Sequence, residues 1–168
     1  MHTLSGRERT GLFLTTTSLV MWAGGLTLLG AVVAPHVFLH AGLERAEAGA
    51  VMAPLFLAFD RWILALMALL LVGEFLRLGA RPLSGISLIL AVALALLLVG
   101  SGAWSALGVG PAIDHLRLQG AHAGVGPEGL RFDRLHNQSE RLGKFQVLGC
   151  AALLAAAWIP QGPEGARS

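Results

Sequence analysis

Charge is scarce in this chain. Asp, Glu, Lys and Arg make up only 13% of its 168 residues, and stretches 10–43 and 82–113 contain none of them. Stretch 48–73 carries only Asp60 and Arg61, and 145–159 is again uncharged. With 55% hydrophobic residues and a mean hydropathy of +0.69, such a chain cannot clothe a soluble domain in polar surface, so it reads as an integral membrane protein. Cysteine is scarcer still. The one thiol, Cys150, excludes an intrachain disulfide and reads as a small core residue. There is no HExxH, no CxxC, no Met-rich motif, no internal repeat and no low-complexity tail. A sequence pI near 9.5 raises nucleic acid as a partner, but the net charge is only +2 and the cations are scattered at segment ends, which sets that partner aside.

What is present is a set of four apolar runs. The first three exceed the roughly 20 residues, at about 1.5 Å rise each, that cross a ~30 Å hydrocarbon core, and the fourth approaches that length if it starts near Leu142. The expected fold is all-α: one membrane domain, 1–168, forming a four-helix bundle with spans at about 11–34, 51–77, 83–107 and 142–159. Pro35 is expected to end or kink the first helix, and Gly108, Gly110 and Pro111 to break the third. A long connection, 108–141, should contain a short helix from Pro111, a glycine-rich loop over 120–129, and an interfacial helix opening at Pro127-Glu128 and leading into span 4. Residues 79–82 form a tight turn, with Pro82 opening span 3. Gly24, Gly25 and Gly30 give the first helix a small face for close helix approach, without a strict GxxxG. Pro35 also blocks cleavage after Val32-Val33-Ala34, so the first run is a retained span.

Four crossings place five of the six histidines, His36, His40, His115, His122 and His136, at one face; only His2 lies elsewhere. Cations do not fix the orientation: Arg7, Arg9, Arg77, Arg81 and Arg167 face Arg45, Arg117, Arg131, Arg134, Arg141 and Lys144. A helical ruler puts Asp60 and Arg61 about 4–6 Å inside the histidine-side boundary. His36, His136, Ser139, Glu140 and Lys144 fall in the same thin layer, an interfacial polar cluster. The midplane holds no ionisable residue, which argues against a central transport site or a proton wire. Asp60 is expected to pair with Lys144 or Arg61 and so lock span 2 against span 4. His36 and His40, four residues apart, would stack two imidazoles on one face; with His136 they are the candidate metal ligands, for copper, zinc or haem iron. Trp104 and Trp158 suit an interfacial belt, whereas Trp22 and Trp62 lie deeper, between helices or against lipid.

The segment 32–38, the stretch 48–56, Pro111-Ala112-Ile113 and above all Phe132-x-x-Leu135-His136-x-x-Ser139 resemble a family of small four-helix membrane proteins related to transmembrane protein 205, a domain family of unknown function. That resemblance implies a four-helix bundle without an established reaction. Where the family usually has an asparagine four residues after the serine, this chain has Gly143. The human relative is associated with resistance to platinum drugs, and bacterial relatives are distantly similar to copper-resistance and haem-pathway membrane proteins. The resemblance therefore raises the metal or haem alternative.

Three functions are open on these residues. The first is a non-enzymatic accessory or structural subunit, docked through its helices and histidine-rich face into a larger respiratory or photosynthetic complex in a bacterial inner membrane. The alternative is a metal- or haem-binding membrane module with His36, His40 and His136. The last is an interfacial enzyme with His136 as base and Asp60 or Glu140 as its partner, which lacks any recognisable nucleophile or cofactor motif. The expected partners are the lipid bilayer and other membrane subunits.

Overall fold

The computed structural model describes residues 5–78, 86–121 and 124–158, and among these the chain is helical with no strand. Helix α1 (Gly6–Thr27) opens on a reciprocal cap: the Ser5 hydroxyl accepts from the Glu8 N–H, and the Glu8 carboxylate accepts from the Ser5 N–H at 2.9 Å. These bonds satisfy donors that a helix start leaves without partners.

The chain does not stop at Pro35. Residues Leu28–Val33 widen into a π-helical turn, and α2 (Ala34–His40) carries the helix onward. A proline inside a helix lacks its own N–H and pushes its ring toward the carbonyl four residues back. Here that carbonyl belongs to Ala31, inside the widened turn. The same device recurs at Pro111. Helix α4 (Ile86–Trp104) passes through a π-helical turn, Ser105–Val109, into α5 (Gly110–Leu118), with Leu107 four residues before the proline. The break expected at 108–111 is therefore absent, and the short helix expected at Pro111 forms as a continuation. Between these elements lies α3 (Arg45–Leu78), which keeps Pro54 within its helix.

Helix α6 (Gly126–Trp158) starts beside Pro127, as its sequence predicts, and runs without interruption into the last apolar stretch. The long connection expected at 108–141 thus shrinks to 119–125, because both of its ends are helical. The expected 79–82 turn, Ile159, His2 and His122 lie outside the described residues.

Three helical stretches are long and apolar enough to cross a membrane: Gly6–His40, Ala46–Leu78 and Ile89–Leu118. Helix α6 is equally long but more polar, because its first half is charged and Arg141, Lys144 and Gln146 dilute its second half. Helix α1 packs against α3 and α6, and α4 packs against the same two. One core serves all four, joining Leu19 and Trp22 of α1, Ile63, Leu66 and Leu70 of α3, Ala95 and Leu98 of α4, and Cys150 and Leu153 of α6. Outward, Phe13, Trp62, Phe75, Ile89, Leu97 and Leu148 are exposed, as side chains that face acyl chains should be.

Candidate functional site

Lipid is as apolar as leucine, so helices in a bilayer are held by close packing and by interhelical hydrogen bonds rather than by burial alone. Both devices occur here. Trp22, fully buried on α1, donates its indole N–H to Gln146 Oε1 on α6 at 3.1 Å. Gln146 Nε2 in turn donates to the Ser101 carbonyl on α4 at 3.2 Å. One amide therefore ties three helices together. Gly102 makes the space, since a Cβ there would stand 2.6 Å from the Trp22 ring.

A second tie lies nearer the start of α1. Glu74 Oε1 on α3 accepts from the Thr15 hydroxyl at 2.9 Å and from Arg77 Nη1 at 2.6 Å. The backbones approach closely at this point: a Cβ on Gly11 would stand 2.8 Å from the Gly73 carbonyl, and one on Gly73 would stand 2.8 Å from the Thr15 nitrogen. Of the glycines expected to form a close face, only Gly25 does so, covered by the Phe59 ring; Gly24 and Gly30 meet nothing.

The histidine-bearing end is more open. His36 and His40 are exposed, and helix α2 does bring them together, with ring centroids 5.4 Å apart and planes tilted by 46°. His136 is exposed and stacks on Phe132, one turn earlier in α6, at 6.2 Å and nearly parallel. Phe132, Leu135 and Ser139 of the same motif are half-buried. His115 lies 3.2 Å from Gln119. Among the described residues, no three His, Cys, Asp or Glu side chains gather into a group that could hold a metal ion.

The charges of the expected polar layer distribute differently from their anticipated pairing. Lys144 bonds Glu140 at 2.6 Å on the exposed surface of α6, not Asp60. That hydrogen bond first, and the ammonium charge second, hold the Glu140 carboxyl below its ordinary range. Asp60 is half-buried and makes no hydrogen bond or ion pair among the described residues; its Oδ2 rests against Gly110 at the start of α5. Arg61, its neighbour, is exposed. Asp114, in the middle of α5, pairs with Arg117 at 2.8 Å. The four tryptophans divide one against three, not in the two pairs expected. Trp22 lies between helices, while Trp62, Trp104 and Trp158 are exposed.

Sequence reasoning missed the residues that do most to join the helices: Gln146, Thr15, Glu74, Gly11 and Gly73. Gln146 did leave a signal, as the polar residue of an otherwise apolar run. Thr15 left one in the hydroxyl stretch Thr15-Thr16-Thr17-Ser18.

Chemically, the arrangement joins helices and presents imidazoles to an interface. No curated protein and no solved structure matches the chain. A family model does match, over residues 17–122, reaching from the middle of α1 past the end of α5 but stopping short of the 132–139 motif. That stretch is more than half of the chain, which therefore belongs to the domain family of unknown function DUF4149.

Proposed function

We propose that this protein is a non-enzymatic four-helix, four-crossing membrane subunit that serves a larger assembly as an accessory or structural component of a bacterial inner membrane. The observation that carries this reading is how its interior polar groups are used. Trp22, Gln146, Thr15 and Glu74 are engaged in bonds between helices, and His36, His40, His115 and His136 with Arg61, Arg131 and Arg141 are exposed on the outside. Side chains arranged in this way stiffen a body and equip its surface. They do not assemble a nucleophile, a base and an oxyanion donor around a cleft. The narrower kinship with the proteins related to transmembrane protein 205 belongs to the same reading, and rests on the 132–139 motif.

The test is extraction from native membranes in a mild detergent, followed by native electrophoresis and mass spectrometry. Co-migration with partner subunits at constant stoichiometry is expected. A chain that always runs alone overturns the assembly role. A second reading, a metal or haem module at His36, His40 and His136, draws on the adjacency of the first two rings. Absorbance and elemental analysis of the purified protein decide it, since a colourless, metal-free preparation that copper, zinc and haem all fail to stabilise removes it.

A further inference from the structure

An open groove of about 610 Å³ lies between helices α4 and α6. Ala93, Leu97, Gly100 and Trp104 of α4 form one wall, with Leu142 and Phe145 of α6 facing them. The α4 wall runs from Ala93 to Trp104, a rise of about 16 Å, which matches roughly half of a ~30 Å hydrocarbon core. That is the depth of one leaflet, and so of one acyl chain.

The groove also has a charged end. Arg141 lies four residues before Phe145, which sets it one turn above that ring on the same helical face, toward the histidine-bearing end. Arg141 is exposed and makes no hydrogen bond or ion pair among the described residues. The nearest acid in sequence, Glu140, is bound by Lys144 and feels the Arg141 charge only through space, so no hydrogen bond occupies the guanidinium donors. A guanidinium forks two donors toward phosphate oxygens. Trp104 is exposed and lines the groove from α4.

We propose that this groove is a binding site for an anionic phospholipid of the histidine-side leaflet. One acyl chain lies between α4 and α6, and the headgroup phosphate is held by Arg141. An uncharged gap would take any lipid, or a transmembrane helix of another protein; the free cation at its mouth favours the anionic lipid. The inference rests on the part of the proposed function that embeds the second half of α6 in the bilayer, and not on docking into a complex.

The experiment is native mass spectrometry of the purified full chain in detergent, titrated with phosphatidylglycerol or phosphatidylcholine of matched acyl chains. One guanidinium contact near a membrane surface should favour phosphatidylglycerol by about fivefold. R141Q should abolish that preference, whereas R131Q, which removes an exposed cation elsewhere on α6, should leave it intact. G100L should displace both lipids, because a Cβ at Gly100 meets nothing within 4 Å and the added side chain can fill the groove without disturbing the packing. Equal retention of the two lipids, or no response to R141Q and G100L, overturns the proposal. So does a G100L variant that changes the oligomeric mass while lipid retention stays as it was, since a helix would then be the occupant. A protein that runs without partners on native gels yet keeps the lipid preference separates failure of the assembly role from failure of this one.

Discussion

Gln146 shows how much one side chain contributes when water is absent. Its carbonyl oxygen accepts from Trp22 and its amide donates to Ser101, across 124 and 45 residues of sequence. Replacing it by leucine would preserve most of the volume but leave the Trp22 N–H buried without an acceptor. The expected cost of Q146L is about 1–3 kcal/mol, read as a lowered thermal midpoint in detergent. Adding W22F should recover much of that loss, because no orphaned donor remains, and the double-mutant cycle should give a coupling of about 1 kcal/mol. Strictly additive losses would show that the bond contributes nothing. Glu140 is the opposite case. Its lowered pKa means that any contribution is present above the unfolded-state value and is lost as pH falls through the folded-state value. Because Glu140 and Lys144 are both exposed, E140Q should leave the thermal midpoint unchanged at neutral pH. Charged residues at a boundary were easy to pick out in the sequence, whereas Gln146 was not, because its importance depends on a partner that only folding supplies.

At the level of helices, the residues flagged by composition and those that act are different members of the same classes. Glycines at the end of α1 and just past it are the expected docking face, yet the tight backbone approach uses Gly11 against Gly73, with Thr15 alongside. Sequence identifies small residues but not the azimuth at which a neighbouring helix crosses them. A substitution pair tests the assignment. G73L would force its Cβ against the α1 backbone and separate Thr15 from Glu74, with an expected loss of about 1–3 kcal/mol. G24L meets open space and should be neutral or mildly stabilising, since leucine forms helix better than glycine. Equal effects on detergent stability would refute the Gly11–Gly73 crossing. Prolines carry the same lesson. The sequence leads one to expect an end or kink at Pro35 and a break over 108–111, since a regular α-helix has no space for the ring. Each follows a π-helical turn that supplies the space, so both helices continue past the expected end. Local rules identified the site of strain and not how the backbone would absorb it.

At the scale of the whole molecule, the open question is whether α6 crosses the membrane with the other three. By hydropathy it falls outside the set of clear spans. Packing supports a crossing. Of its five buried residues only Gly129 lies in the first half; Gln146, Gly149, Cys150 and Leu153 lie in the second, and Cys150 and Leu153 join the core built by α1, α3 and α4. The length agrees as well. Thirty-three residues span about 50 Å, so about 20 Å remains outside a ~30 Å core, enough for the charged first half to stand beyond the boundary beside α5. A fourth crossing would return the chain to the side on which it began. In a C150S background, a cysteine at Ser5 and a tag fused after Ser168 should be reached by impermeant reagents from the same face of sealed vesicles. A cysteine at Ala121 should be reached only from the other. A tag on the Ala121 side would reduce the molecule to three crossings and leave α6 at the interface. It would also remove the bilayer from the groove beside Phe145, so topology mapping bears on the fold and on the lipid site together.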